Sequence, residues 1–207
     1  MKIKVCGMKE ADNIAQIARL QPDYMGFIFY ERSPRFIGDL PPSVLNALPE
    51  ETLRVGVFVN AAREYIATQA VRYHLNLLQL HGDETPTDCE YFKFGYSLIK
   101  AFGIQSAEDF AATHRYEGVC DYFLFDTKTT QRGGSGEKFD HRLLLSYRSQ
   151  TPFFLSGGIA PEDAASLAAL RFPCCEALDL NSRFELSPGV KNVAEVGKFI
   201  KAVRGKL

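Results

Sequence analysis

Short apolar runs punctuate this chain at a nearly regular interval. They fall at Ile3–Val5, Tyr24–Phe29, Val55–Val59, Leu77–Leu80, Leu98–Ala101, Tyr122–Phe125, Phe153–Leu155 and Ala177–Leu180. Each is brief, rich in β-branched or aromatic residues and flanked by turn formers, which favours strand over helix. Apolar residues occupy consecutive positions instead of alternating, as in strands covered on both faces. Between the runs the period changes. Ile14, Ile17, Ala18 and Leu20 make one helical face, and Tyr65, Ile66, Gln69, Ala70 and Tyr73 make another. Pro161 followed by Glu162 and Asp163 opens a third helix, with proline in the first turn and acids at the positive end of the dipole. Asn192 caps a last helix carrying Val193, Val196, Phe199, Ile200 and Val203 on one side.

Eight strand–helix units in roughly 200 residues correspond to the lower size limit of an α/β (β/α)₈ barrel, the TIM-barrel fold. A doubly wound open sheet is the structural alternative. Its usual fingerprint, a GxGxxG after the first strand, is not what Cys6-Gly7-Met8-Lys9 spells. Polar or reactive residues stand just after most of the runs: Cys6, His81, Asp126, Ser156-Gly157-Gly158, Asp179 and Asn181-Ser182. A barrel gathers such exits into one ring on one face, whereas an open sheet strings them along an edge. The expected architecture is a single (β/α)₈ domain spanning 1–207, since no Pro/Gly/Ser-rich linker or low-complexity tract divides the chain.

Composition narrows the class of partner. The formal net charge is −1, from 24 basic and 25 acidic residues without a basic block, so neither nucleic acid nor an anionic membrane is expected. Five cysteines, Cys6, Cys89, Cys120, Cys174 and Cys175, lack metal-ligand spacing and fit reduced thiols in a cytoplasm. The N-terminal stretch has no signal-peptide core, and no apolar run approaches the length of a membrane span. Neither a metal nor an organic cofactor is expected.

Two strand exits resemble an anion site. Leu155-Ser156-Gly157-Gly158 runs from a strand into a glycine pair with Pro161 opening a helix shortly afterwards, and Leu180-Asn181-Ser182-Arg183 is the next exit. Backbone N–H groups of a glycine turn and a helix N-terminus together stabilise a phosphate. Loops after the seventh and eighth strands are a recurrent phosphate site in barrels, which points to a small phosphorylated substrate across the mouth. Asp126 ends the sixth apolar run, where a carboxylate meeting solvent at a strand end can have a tuned pKa. Beyond it Gly133, Gly134 and Gly136 lie in a polar loop whose glycines permit closure over a ligand, so Gly134 is expected at the substrate.

Several motifs in order resemble one family. They are Val5-Cys6-Gly7-Met8-Lys9, Gly26-Phe27-Ile28-Phe29 with Ser33-Pro34-Arg35-Phe36-Ile37, Val55-Gly56-Val57-Phe58-Val59-Asn60 and Leu78-Gln79-Leu80-His81-Gly82. Phe125-Asp126-Thr127-Lys128, Gly133-Gly134-Ser135-Gly136, Leu155-Ser156-Gly157-Gly158 and Ser187-Pro188-Gly189-Val190-Lys191 continue the series to the last helix. Together they resemble phosphoribosylanthranilate isomerase. The resemblance implies an Amadori rearrangement in tryptophan synthesis, from N-(5'-phosphoribosyl)anthranilate to 1-(2-carboxyphenylamino)-1-deoxyribulose 5-phosphate. It implies Asp126 as general acid and Cys6 as general base. The acid then needs a pKa raised by burial at the strand end or by the substrate's negative charges, and the base a depressed one, with Lys4, Lys9 and Lys128 as the sequence neighbours able to help. It makes Arg35 the clamp on the anthranilate carboxylate, a role suited to a planar guanidinium.

Gly157, Gly158, Asn181, Ser182 and Arg183 take the phosphate in this reading. The family commonly shows Ser-Ser-Gly at the eighth exit, where this chain has Asn181-Ser182-Arg183. Asn181 is the candidate for the left-handed conformation, and Arg183 either adds a charge to the phosphate or points away. His81 is expected to make a structural hydrogen bond at the rim, and His74, His114 and His141 to face solvent. A monomer or a homodimer fits equally. The alternatives are another sugar-phosphate isomerase on the same barrel, or a non-catalytic barrel that binds a phosphoribosyl ligand.

Overall fold

Hydrogen bonding closes all eight apolar runs into one parallel barrel. The computed structural model describes residues 1–127, 139–169 and 172–205. The strands are β1 (Lys2–Val5), β2 (Tyr24–Ile28), β3 (Leu53–Phe58), β4 (Leu77–Leu80), β5 (Ser97–Ile104), β6 (Tyr122–Thr127), β7 (Phe153–Leu155) and β8 (Cys175–Leu180). They pair in sequence order, and β1 closes on β8 with Lys4 opposite Asp179. Parallel neighbours need a crossover on the outside, and that connection covers the second face of each strand.

The crossovers are helices of two kinds. The α-helices are α1 (Ala11–Ala18), α2 (Arg63–Arg72), α3 (Pro86–Phe92), α4 (Ala164–Ala169) and α5 (Val193–Arg204). Helix α1 buries Ile14, Ile17 and Ala18, and α5 buries Val196, Phe199, Ile200 and Val203, the faces their periodicity predicts. Asn192 caps α5 by accepting from the Glu195 N–H, and Thr85 forms a capping box with Asp88 at the start of α3. Three connections are 3₁₀ instead, at Pro42–Ala47, Ala107–Tyr116 and His141–Ser146. Pro161–Asp163 forms a 3₁₀ turn that leads directly into α4. Among the described residues no helix is long and apolar enough to cross a membrane.

Inside the barrel, strand alternation sorts the side chains into levels. One level is apolar: Tyr24, Val55, Leu77, Ile99, Leu124, Phe154 and Ala177 are buried together. A fully buried side chain of this size contributes about 1.5–3 kcal/mol. Two residues further along the same strands stand Gly26, Val57, Gln79, Ala101, Asp126, Ser156 and Asp179, of which the last three and Gln79 are polar. The barrel therefore turns polar one layer below its C-terminal mouth.

Two features of the mouth differ from the sequence expectation. Strand β6 runs on through Asp126, which pairs with Gly103 of β5, so this carboxylate is held by the sheet and not by the loop beyond it. After β8, a 3₁₀ turn at Ser182–Phe184 leads into a ribbon of β9 (Glu185–Ser187) and β10 (Val190–Lys191), with Lys191 opposite Glu185.

Candidate active site

A cavity of about 440 Å³ opens at the C-terminal mouth. Cys6, Val57, Gln79, Asp126, Ser156 and Asp179 line it together, Arg35 stands in one wall, and Gly157, Gly158, Asn181 and Ser182 stand in another. Residues that are far apart in sequence meet here because they lie near the C-terminal ends of several barrel strands or in the loops that follow them.

Cys6 follows β1 and is 3% exposed. Its thiol fits because β2 carries glycine at the facing position: a Cβ on Gly26 would lie 2.7 Å from the Cys6 sulfur. Burial pushes the thiol pKa up, and the nearby Lys4 ammonium offsets only part of that rise. The direction is opposite to the depressed value that the sequence predicts, because burial at the strand end removes more hydration than the nearby cations return. Lys4 is itself buried and donates to Asp179 Oδ1 at 2.9 Å. Burial opposes its charge, but Asp179 and Cys6 outweigh that effect and hold the lysine pKa above its ordinary value. Lys9 points elsewhere, donating to the Pro34 carbonyl at 3.1 Å. The cation that sequence reasoning missed is Lys191, fully buried and close enough to lower the Cys6 pKa.

Asp126 keeps a side-chain exposure of 20% on the cavity. Its Oδ1 accepts from the Thr127 N–H at 2.8 Å. Burial pushes its pKa up to about 6, against the pull of that hydrogen bond and with help from the Asp179 charge. His81 Nε2 lies 4.0 Å from Asp126 Oδ2, and His81 Nδ1 meets Gln79 Nε2 at 3.0 Å. His81 thus joins a polar row with Gln79 and Asp126 along the cavity. The other histidines lie away from the cavity, and His114 pairs with Glu117 at 3.0 Å on the surface.

Arg35 is held from behind. Glu185 accepts from Arg35 Nε at 2.9 Å and from Nη2 at 2.7 Å, a fork-on-carboxylate pair. Lys191 donates to the same carboxylate at 2.6 Å and to Asn181 Oδ1 at 2.8 Å. Burial would raise the Glu185 pKa, yet Arg35 and Lys191 outweigh it and hold the carboxyl below its ordinary value. Lys191 ended the last motif quoted above, but nothing in the sequence says which way it faces.

Gly157 and Gly158 are both left-handed, at φ +88 and +66. A Cβ on Gly157 would come within 2.6 Å of Thr127 Oγ1, so the turn requires glycine. Asn181, expected to be left-handed, has φ −142 and ψ −109 instead. In this conformation its side-chain oxygen accepts from Lys191 at 2.8 Å. Arg183 is exposed and does not line the cavity, whereas Ser182 does. Gly134 and Lys128 lie outside the described residues. Among the described residues no group of three or more His, Cys, Asp or Glu side chains is placed to hold a metal ion.

Residues 3–202 match the sequence model of the family described as N-(5'phosphoribosyl)anthranilate (PRA) isomerase. The chain belongs to that family. It is an isomerase of tryptophan biosynthesis. The N-(5'-phosphoribosyl)anthranilate isomerase of Parabacteroides distasonis is 49% identical over 207 residues, covering 98% of this chain and 93% of that one. The crystal structure of the phosphoribosyl anthranilate isomerase from Thermotoga maritima superposes with a TM-score of 0.89 at 34% identity, covering 99% of each chain. Another isomerase structure, in complex with reduced 1-(o-carboxyphenylamino)-1-deoxyribulose 5-phosphate, matches with a TM-score of 0.84 at 30% identity and again covers 99% of each chain. The isomerase barrel thus extends over almost the whole sequence.

Proposed function

We propose that the isomerisation of N-(5'-phosphoribosyl)anthranilate in this chain is carried by Asp126 as general acid and Cys6 as general base. The observation that carries this reading is their common cavity, with a guanidinium in one wall and a glycine turn in another. The substrate has a carboxylate at one end and a phosphate at the other. Arg35 meets the carboxylate through the guanidinium edge that Glu185 leaves uncovered. The turn at Gly157–Gly158 and the Asn181–Ser182 exit receive the phosphate through backbone donors, with the buried Lys191 ammonium behind them. Arg183 is left out of the phosphate contacts because its side chain does not reach the cavity.

Protonated Asp126 delivers its proton to the furanose ring oxygen. The anthranilate nitrogen lone pair expels that oxygen from C1', and an iminium forms. Cys6 thiolate removes the C2' proton, and the electron pair neutralises the iminium to give an enolamine. Proton transfer from the C2' hydroxyl to C1' then yields the aminoketone, and return of a proton from the Cys6 thiol to Asp126 through solvent restores both groups, so the reaction neither gains nor loses atoms. A carboxyl whose pKa is about 6 retains a protonated fraction near neutrality, which the substrate's negative charges increase.

The reading uses residues of one chain and holds for a monomer or a homodimer. The five free cysteines fit a reducing cytoplasm. A coupled fluorescence assay tests it: anthranilate, phosphoribosyl pyrophosphate and the preceding transferase supply the unstable substrate, and this chain should quench the accumulating signal. A folded protein that leaves the signal unchanged would exclude the reading.

A further inference from the structure

Gln79 holds the one buried side-chain oxygen or nitrogen that lacks a hydrogen-bond partner among the described residues, its Oε1. The residue is 1% exposed, lies on the inward face of β4 and lines the cavity. Buried polar atoms in folded proteins are nearly always satisfied, and an orphan facing a ligand cavity points to a ligand atom that completes it. Its other amide atom is already engaged, since Nε2 meets His81 Nδ1 at 3.0 Å. An amide N–H only donates, so with the amide in this orientation Nδ1 is the acceptor and the ring proton is assigned to Nε2, the atom 4.0 Å from Asp126 Oδ2.

The chemistry of the missing partner follows from the atom left over. A carbonyl oxygen accepts and cannot donate. The carboxylate and the phosphate at the two ends of the substrate are acceptors too, and both would be repelled by it. The benzoate ring offers no polar hydrogen. Donors remain in the middle, in the anilino N–H and the hydroxyls of the sugar chain, and the N–H is already engaged by the carboxylate ortho to it, which leaves the hydroxyls. The middle of the ligand is also the part that passes over Gln79 when its ends lie at Arg35 and at the Gly157–Gly158 turn.

We propose that Gln79 Oε1 accepts a hydrogen bond from a sugar hydroxyl of the substrate, making Gln79 a specificity residue for the hydroxylated linker. The proposal rests on the function given above. Through His81, the same amide ties the position of the sugar to the group that protonates it. A substrate seated with its hydroxyl on Oε1 keeps the Gln79 amide from rotating, and the His81 Nε2–H stays directed toward Asp126.

Two ligands test this by calorimetry: the reduced product, which keeps its sugar hydroxyls, and N-(5-phosphonooxypentyl)anthranilate, which joins the same two ends by a plain alkyl chain. The parent should bind the hydroxylated ligand at least tenfold more tightly. Gln79→Met, close in length and shape, should lose that preference while its affinity for the alkyl ligand stays within twofold. Gln79→Glu, which still presents oxygen acceptors, should keep a preference. Equal weakening of both ligands in Gln79→Met, or an unchanged preference, would overturn the proposal. If Gln79→Met does not fold, a parent that binds the two ligands within twofold of each other overturns it as well. A parent that binds neither ligand refutes the underlying functional reading first, and so separates the two failures.

Discussion

Arg35 and Glu185 form a two-pronged ion pair at 2.7–3.0 Å, although 150 residues separate them in sequence. Glu185 occupies the Nε edge of the guanidinium and, being fixed by Lys191 and the Gly189 N–H, it holds the whole group in orientation. Side-chain entropy that a free arginine would lose on binding is thus already lost.

Arg35→Ala should weaken product binding by about 1.5–3 kcal/mol, the range for hydrogen bonds to charged groups. Ribulose 5-phosphate, which lacks the benzoate, should bind variant and parent alike. Arg35→Lys should restore little, because an ammonium cannot serve Glu185 and a ligand carboxylate in one plane. Titration calorimetry with the two ligands checks this. Equal losses for both would mean the arginine acts through general charge or structure.

Cys6→Ser and Asp126→Asn should each reduce turnover by ~10²–10⁴, with ligand affinity within about tenfold. A Cys6→Ser enzyme retaining a third of the parent kcat would remove the thiol from the role of base. Gly26→Ala should resemble Cys6→Ser in kcat, because the added Cβ would stand 2.7 Å from the thiol and 3.2 Å from the Cys6 backbone. Overpacking of this kind also destabilises by about 1–3 kcal/mol, which a denaturant titration would show beside the kinetics.

The pH profile follows from the two opposite requirements. Asp126 acts protonated and Cys6 acts ionised, yet the carboxyl has the lower pKa of the two. Between the two values the productive combination is a constant minority. Below about 6 it declines, because the acid is already fully protonated and further acid only removes thiolate. The plot of kcat/KM against pH should therefore fall below about 6, stay flat through neutrality, and fall again above the ordinary thiol value of ~8.5. A kcat/KM that keeps rising below pH 6 would contradict the assignment.

The raised Asp126 pKa is also a statement about stability. Its folded value, about 6, lies above the unfolded value, so the folded state binds the proton more tightly and loses stability as pH rises from about 4 to 6. The gap corresponds to roughly 2–3 kcal/mol at neutral pH. Asp126→Asn should therefore be more stable than the parent at pH 8 and about equally stable at pH 4, as thermal unfolding at the two pH values would show. No gain at pH 8 would mean that the cavity solvates the ionised carboxylate.

Much of this protein was legible in its sequence. Eight apolar runs separated by helical periods specify parallel strands covered on both faces, and the polar residues at their exits favour closing them into a barrel over an open sheet. Cys6, Asp126, Gly157 and Gly158 could be picked out because they stand at or just after strand ends, and Arg35 because its loop carries a recognisable motif. What the tertiary structure alone decided is the electrostatics between these groups. Lys4 meets Asp179 across the β1–β8 seam, and Lys191 reaches Asn181, Glu185 and the neighbourhood of Cys6 from a ribbon that sequence periodicity does not reveal. The direction of the Cys6 pKa depends on how completely the barrel buries the thiol against how near the lysines come. Both are distances between segments remote in sequence, so local pattern carries no information about them. The orphaned oxygen of Gln79 is of the same kind: in sequence it belongs to an apolar strand, and only the closed barrel shows that it faces the cavity without a partner.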